Sequence, residues 1–109
     1  MRRGDICTAS GGKDYAGKPR PVVIVQSDRF DSLESVTVCP FTTDTTDAPL
    51  IRLLVSPNKS NGLMTVSRIM VDKVTTMSKA KLGKRIGRLT DEDTVRLNRA
   101  VFVFLGLAD

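Results

Sequence analysis

Gly17-Lys18-Pro19-Arg20-Pro21-Val22-Val23-Ile24-Val25 places an arginine between two prolines at the mouth of an unbroken β-branched run. Proline fixes its own φ and biases the residue before it toward extended geometry, so both neighbours of Arg20 restrict where its guanidinium points. Residues 21–26 therefore read as a buried strand that opens on a constrained cation. A guanidinium held in this way suits a phosphate, which it can grip through two parallel N–H donors.

Working outward, residues 3–8 read as a short strand. Ser10-Gly11-Gly12-Lys13-Asp14-Tyr15-Ala16-Gly17 is the glycine-bearing loop that delivers Arg20. Residues 27–31 carry turn chemistry, residues 35–42 are strongly β-prone, and a polar turn follows around Thr43-Asp44. Residues 50–55 form a further strand and 56–62 a loop; residues 63–76 hold two short strands with Asp72 inside them. The hydrophobic period then changes from two to about 3.6. Leu97, Val101 and Phe104 fall on one helical face, behind a capping-box pattern at Thr90-Asp91-Glu92-Asp93, and Gly106 is the stop. That face assigns Phe104 to the core. Short strands followed by one helix, without strand–helix–strand alternation, predict a mostly β fold with a C-terminal helix: a small barrel or strongly bent sheet.

The chain has 109 residues, enough for one modest core, and no linker or repeat divides residues 1–109. Its 17 Lys and Arg against 12 Asp and Glu leave a formal charge of +5. That balance favours a polyanionic partner, nucleic acid first. No apolar run is long enough to span a bilayer and no basic amphipathic helix appears, so no membrane partner is expected. Met1-Arg2-Arg3 leads straight into Gly4-Asp5 without an apolar region, which makes the cytoplasm the expected location. Cys7 and Cys39 lie in apolar runs without metal or redox spacing and read as buried, reduced thiols. Lys73, Lys79, Lys81, Lys84, Arg85 and Arg88 form a stretch uninterrupted by any acid. It reads either as a solvated face or as a surface that tracks an RNA backbone.

The chain contains no histidine, and so lacks the commonest general base and the commonest metal ligand. It has no glycine-rich phosphate loop of Walker or dinucleotide type, and its carboxylates are too scattered for a two-metal cage. No cofactor and no metal are therefore expected. RNA cleavage survives this elimination because the substrate carries its own nucleophile, the 2′-hydroxyl. The protein then supplies a cation for the phosphorane, a hydroxyl or amide to position it, and a proton acceptor. Arg20, Thr42 and Asp72 are the candidates. A guanidinium gives up its proton too reluctantly to act as base, which leaves that task to Asp72 or to water.

These residues, in this order, resemble the MazF/PemK (Kid) toxins of bacterial toxin–antitoxin pairs. The resemblance runs nearly end to end, through Arg3-Gly4-Asp5-Ile6, the segment 17–26, Val38-Cys39-Pro40-Phe41-Thr42-Thr43, Val71-Asp72-Lys73-Val74-Thr75-Thr76 and Leu105-Gly106-Leu107. It implies an SH3-like barrel of the PemK/CcdB type with an added helix, a homodimer, and metal-independent, sequence-specific cleavage of single-stranded mRNA that leaves a cyclic phosphate. A cognate acidic antitoxin would neutralise the activity.

The family's essential arginine before proline falls on Arg20, and its Thr or Ser at the end of the third strand falls on Thr42, with Thr43 beside it. The acid that some members use falls on Asp72, but the arginine they place two residues earlier is Met70 here. On an ideal strand residues 68, 70 and 72 share a face, so Arg68 is the expected substitute. The family's Glu-Gln before the arginine becomes Asp14-Tyr15. Substrate contacts are assigned to Lys13, Lys18, Thr43, Arg68 and Lys73, with Tyr15 as a base-stacking residue.

Blander readings stand beside these. Thr42 is also a β-former ending a strand, Asp72 also a salt-bridge partner for Lys73 or a nearby arginine, and Tyr15 also a packing residue. Two other functions remain open: a gyrase-binding toxin of the CcdB type, which shares the barrel and cleaves nothing, and a basic RNA-binding barrel without activity.

Overall fold

The computed structural model describes residues 1–10 and 18–109; the expectations for Lys13, Asp14 and Tyr15 lie outside them. The described chain forms β1 (Asp5–Ala9), β2 (Arg20–Ile24), β3 (Ser35–Thr42), β4 (Arg52–Val55), β5 (Ser67–Met70), β6 (Thr75–Ser78), β7 (Leu82–Arg88) and α1 (Asp91–Phe104). All ladders are antiparallel, in the order β4-β5-β3-β2-β1-β7, with β6 also paired to β3. This mostly β architecture with a C-terminal helix is the expected class and is compatible with a small barrel.

β3 is the hub. Val38 to Pro40 pair with β2 along one edge, while along the other Ser35 to Val38 pair with β6 and Phe41 and Thr42 pair with β5. Pro40 falls in the gap between those last two ladders, where a residue without an N–H is tolerated. The change of partner carries the end of β3 into the β4–β5 layer, and that is what brings Thr42 beside β5.

The unbroken apolar run of β2 is explained by cover on both faces. Val23 packs with Ile6, Cys39, Phe41, Leu53, Val55, Ile69 and Val71 beneath Leu97 and Ala100 of α1. Val22 and Ile24 face the other way, with Cys7, Ala9, Val36 and Val38 against Met77 and Leu82. Both cysteines are free and buried, as expected.

The helix keeps its predicted ends. The Thr90 hydroxyl accepts from the Asp93 amide at 3.2 Å, with Asp91, Glu92 and Asp93 in the positive first turn. At the other end Leu107 N donates to Phe102 O at 2.8 Å and Gly106 N to Val103 O at 3.1 Å, around a Gly106 φ of +76°. Phe104 departs from expectation: it is 42% exposed, while Leu97 and Ala100 are buried and Val101 packs partly covered against the core. No helix of the described residues is long and apolar enough to cross a membrane.

Three strand expectations are corrected. The first strand starts at Asp5, because Arg3 and Gly4 form a turn with Gly4 at φ +90°. Asp72 is not inside a strand: the chain leaves extended geometry at Met70 and makes a 3-10 turn, Val71–Lys73, before β6. Residues 68, 70 and 72 consequently do not share a strand face. Finally, β7 occupies part of the basic stretch, where two glycines and its charges hid the strand signal. Gly87 is there for contact: a side-chain carbon on it would run into the backbone of Asn61.

Candidate active site

Arg20 opens β2 opposite Ala9, with Pro21 fixing the entry into the strand. Its side chain lines a cavity of about 640 Å³ together with Thr42, Lys73, Met70, Thr75 and the Pro40–Phe41 segment. Two of the three expected catalytic residues thus line one cavity, together with one expected RNA-binding lysine. No carboxylate pairs with Arg20 among the described residues.

Thr42 ends β3, and its Oγ1 accepts the Asp44 amide at 3.1 Å. That bond satisfies a lone pair of the oxygen and leaves the hydroxyl proton available to donate. The Asp44 carboxyl is held below the usual carboxylate range, first by the Thr46 hydroxyl, then by the Thr46 and Thr45 amides and the Arg52 charge. Thr43 is exposed beyond the strand end and does not line the cavity.

Arg68 stands directly across from Thr42 in the β3–β5 ladder. Its Nη1 donates to Asp44 O at 3.3 Å, so it braces the segment after Thr42 and does not engage Asp72. The arginine that does engage Asp72 is Arg52, opposite Met70 in the β4–β5 ladder. Arg52 Nε lies 3.0 Å from Asp72 Oδ1 and Nη2 lies 3.1 Å from Oδ2. Asp72 is not on the cavity wall. The expectation that Arg68 stands beside Asp72 is thereby corrected: the contact is made by Arg52, a residue that sequence spacing did not single out. Strand register sets Arg52 opposite Met70, just before the turn that holds Asp72, and no local motif links 52 to 72.

Lys18 is exposed ahead of Pro19, outside the cavity lining. The basic stretch divides in two. Lys79 is taken by Asp31, while Arg85 and Arg88 reach Asp5 at 3.2 and 2.9 Å. Burial would raise the Asp5 carboxyl, but the Arg2 amide and the two guanidinium groups outweigh it and hold the carboxyl below its ordinary value. Lys73, Lys81 and Lys84 make no ion pair among the described residues. Nor, among those residues, do three or more His, Cys, Asp or Glu side chains gather as a metal site would require.

The chain resembles known proteins over nearly its whole length. Residues 2–105 match the family described as PemK-like, MazF-like toxin of type II toxin-antitoxin system. A probable endoribonuclease MazF of Mycolicibacterium smegmatis is 57% identical over 99% of this chain and 99% of its own length. An endoribonuclease MazF of Staphylococcus saprophyticus is 30% identical over 98% of this chain and 92% of its own. Among solved structures, the Mycobacterium tuberculosis toxin MazF-mt6 superposes with a TM-score of 0.79 at 29% identity, covering 96% of this chain and 99% of that one. With its fold and nearly its whole length in common with these proteins, the chain belongs to the family of PemK-like, MazF-like toxins of type II toxin–antitoxin systems.

Proposed function

We propose that this chain, acting as one domain over residues 1–109, is a sequence-specific, metal-independent endoribonuclease toxin that cleaves single-stranded mRNA in the cytoplasm. The observation that carries the reading is the convergence of Arg20, Thr42 and Lys73 on one cavity. A scissile phosphate in that cavity meets the Arg20 guanidinium and the Lys73 ammonium as counter-charges, and the Thr42 hydroxyl donates to a phosphoryl oxygen. The ribose 2′-oxygen attacks phosphorus, the bond to the 5′-oxygen breaks, and the products are a 2′,3′-cyclic phosphate and a 5′-hydroxyl. The 2′-proton passes to water, since both oxygens of Asp72 are engaged by Arg52. A proton from water also completes the leaving 5′-oxygen. The relatives carry an endoribonuclease name, which favours cleavage over gyrase binding or passive RNA binding.

The family description also supports a cognate antitoxin. With a formal charge of +5 on the toxin, the antitoxin is acidic, and an extended acidic segment laid over the basic groove of a toxin homodimer masks Arg20. The test is incubation of the purified protein with a long single-stranded RNA in EDTA, beside Arg20→Ala. Discrete fragments ending in cyclic phosphate, lost in the variant, are the expected result. Intact RNA with the wild-type protein removes the nuclease reading, and unchanged cleavage by the variant removes the site assignment.

A further inference from the structure

Arg52 opens β4, and its guanidinium passes Met70 to reach both oxygens of Asp72. The two side chains are 16% and 24% exposed, so the pair is largely withdrawn from water and gains more from its two-point geometry than a surface pair does. A second tie joins the same segments, from Val71 N to Ile51 O at 2.9 Å. The 3-10 turn Val71–Lys73 has no side-chain cap of its own at its start. It is fastened to β4 instead. Met70 and Lys73, on either side of Asp72, are both on the cavity wall. The Arg52 charge also reaches Asp44, whose amide holds the Thr42 hydroxyl.

We propose that Arg52 is a positioning residue: clamped on Asp72, it sets the turn that presents Lys73 to the RNA backbone, and Asp72 serves as its counter-ion instead of as a proton acceptor. This rests on the nuclease reading above. A general base needs a lone pair aimed at the proton it removes, and here both carboxylate oxygens are aimed at Arg52. An ion pair whose task is geometric can be exchanged for a packed apolar pair, whereas removal of one partner alone strands the other.

The experiment measures steady-state cleavage of a short fluorogenic RNA across pH by wild type, Arg52→Met, Asp72→Leu and the double variant, with Arg20→Ala as the inactive control and circular dichroism to confirm folding. Each single change is expected to lower kcat/KM about tenfold, mostly through KM, with the shape of the pH profile the same as in wild type. The double variant is expected to return to within about threefold of wild type. Arg52→Lys, which keeps the charge and folds readily but makes one contact, shows an intermediate rise in KM. Loss of about 100-fold in kcat by both Asp72→Leu and the double variant, with the acidic limb flattened, would make Asp72 the base and overturn the proposal. Wild-type KM in both Arg52→Met and Arg52→Lys overturns it too. If the wild-type protein cleaves nothing, the nuclease reading falls, and anisotropy of labelled RNA on the same variants decides the clamp: binding weakened by either single change and restored by the double supports it, and equal binding by all refutes it.

Discussion

The buried carboxylate of Asp5 meets the Arg88 guanidinium at 2.9 Å, tying the first strand of the sheet to the last. Arg85 holds the same oxygen from the same strand at 3.2 Å, and the Arg2 amide donates to the other oxygen at 2.8 Å. Asp5→Asn is expected to cost roughly 1–3 kcal/mol, because a buried acceptor loses its charge while its arginine partners stay half-exposed and recover water. The carboxyl is held below its ordinary value of 3.8, so its stabilisation is complete above that value and disappears as pH falls through the lower folded value. Thermal melts between pH 7 and pH 3 check this. The gap between wild type and variant should be constant from neutrality to about pH 5 and should close in stronger acid. A gap that does not change with pH would mean that the stabilisation is not that of an ionised Asp5.

Burial pushes the Cys39 thiol up to about 12, with the Asp72 charge adding to the effect, and burial raises Cys7 as well. Thiolate is the reactive form, so both side chains should resist alkylation near pH 8 in the native protein and react fully in denaturant. Intact mass after iodoacetamide treatment reports the result. Prompt native labelling at Cys39 would contradict its place in the core beside Val23 and Ile69.

The buried, reduced cysteines were legible in the sequence, whereas the pairing of Asp5 with Arg85 and Arg88 was not. Residues 35–42 were read with the observed bounds because a β-branched run bordered by polar residues carries its own boundaries, and Thr90 and Gly106 mark the ends of α1 through local cap chemistry. β7 was hidden because Gly83 and Gly87 answer to contacts with Thr8 and Asn61, far off in the chain, and not to strand propensity. Of the site, Arg20 stood out through its flanking prolines, and Thr42 as a hydroxyl at a strand end that the family resemblance favoured over a plain β-former. The plainer reading of Asp72, an ion pair with a nearby arginine, is the one the structure shows, but which arginine was not legible, since that depends on which strands become neighbours.

Lys73 is exposed on the cavity wall, and no carboxylate holds it among the described residues. Lys73→Gln should therefore leave the melting temperature nearly unchanged and weaken single-stranded RNA binding. The plot of log affinity against log salt should lose about 0.7 from its slope, the share of one phosphate contact. Lys79→Gln serves as the contrast: its ammonium is already satisfied by Asp31, so the slope should move much less. Equal slopes for wild type and Lys73→Gln would take Lys73 out of the RNA path.

Thr42 carries the sharpest expectation, because its hydroxyl is set by a single bond from the Asp44 amide. Thr42→Val keeps the branched shape and the β preference and removes the oxygen. Stability should change by less than about 1 kcal/mol at this part-covered position, while kcat should fall about 100- to 1,000-fold, the usual cost of one donor to a developing phosphoryl charge. Thr42→Ser restores an Oγ within reach of the same amide and should recover all but a few-fold of the activity. Single-turnover cleavage of a short RNA by the three proteins isolates the chemical step from binding. Activity in Thr42→Val close to wild type would show that Arg20 and Lys73 suffice at the phosphate and that Thr42 only closes its strand.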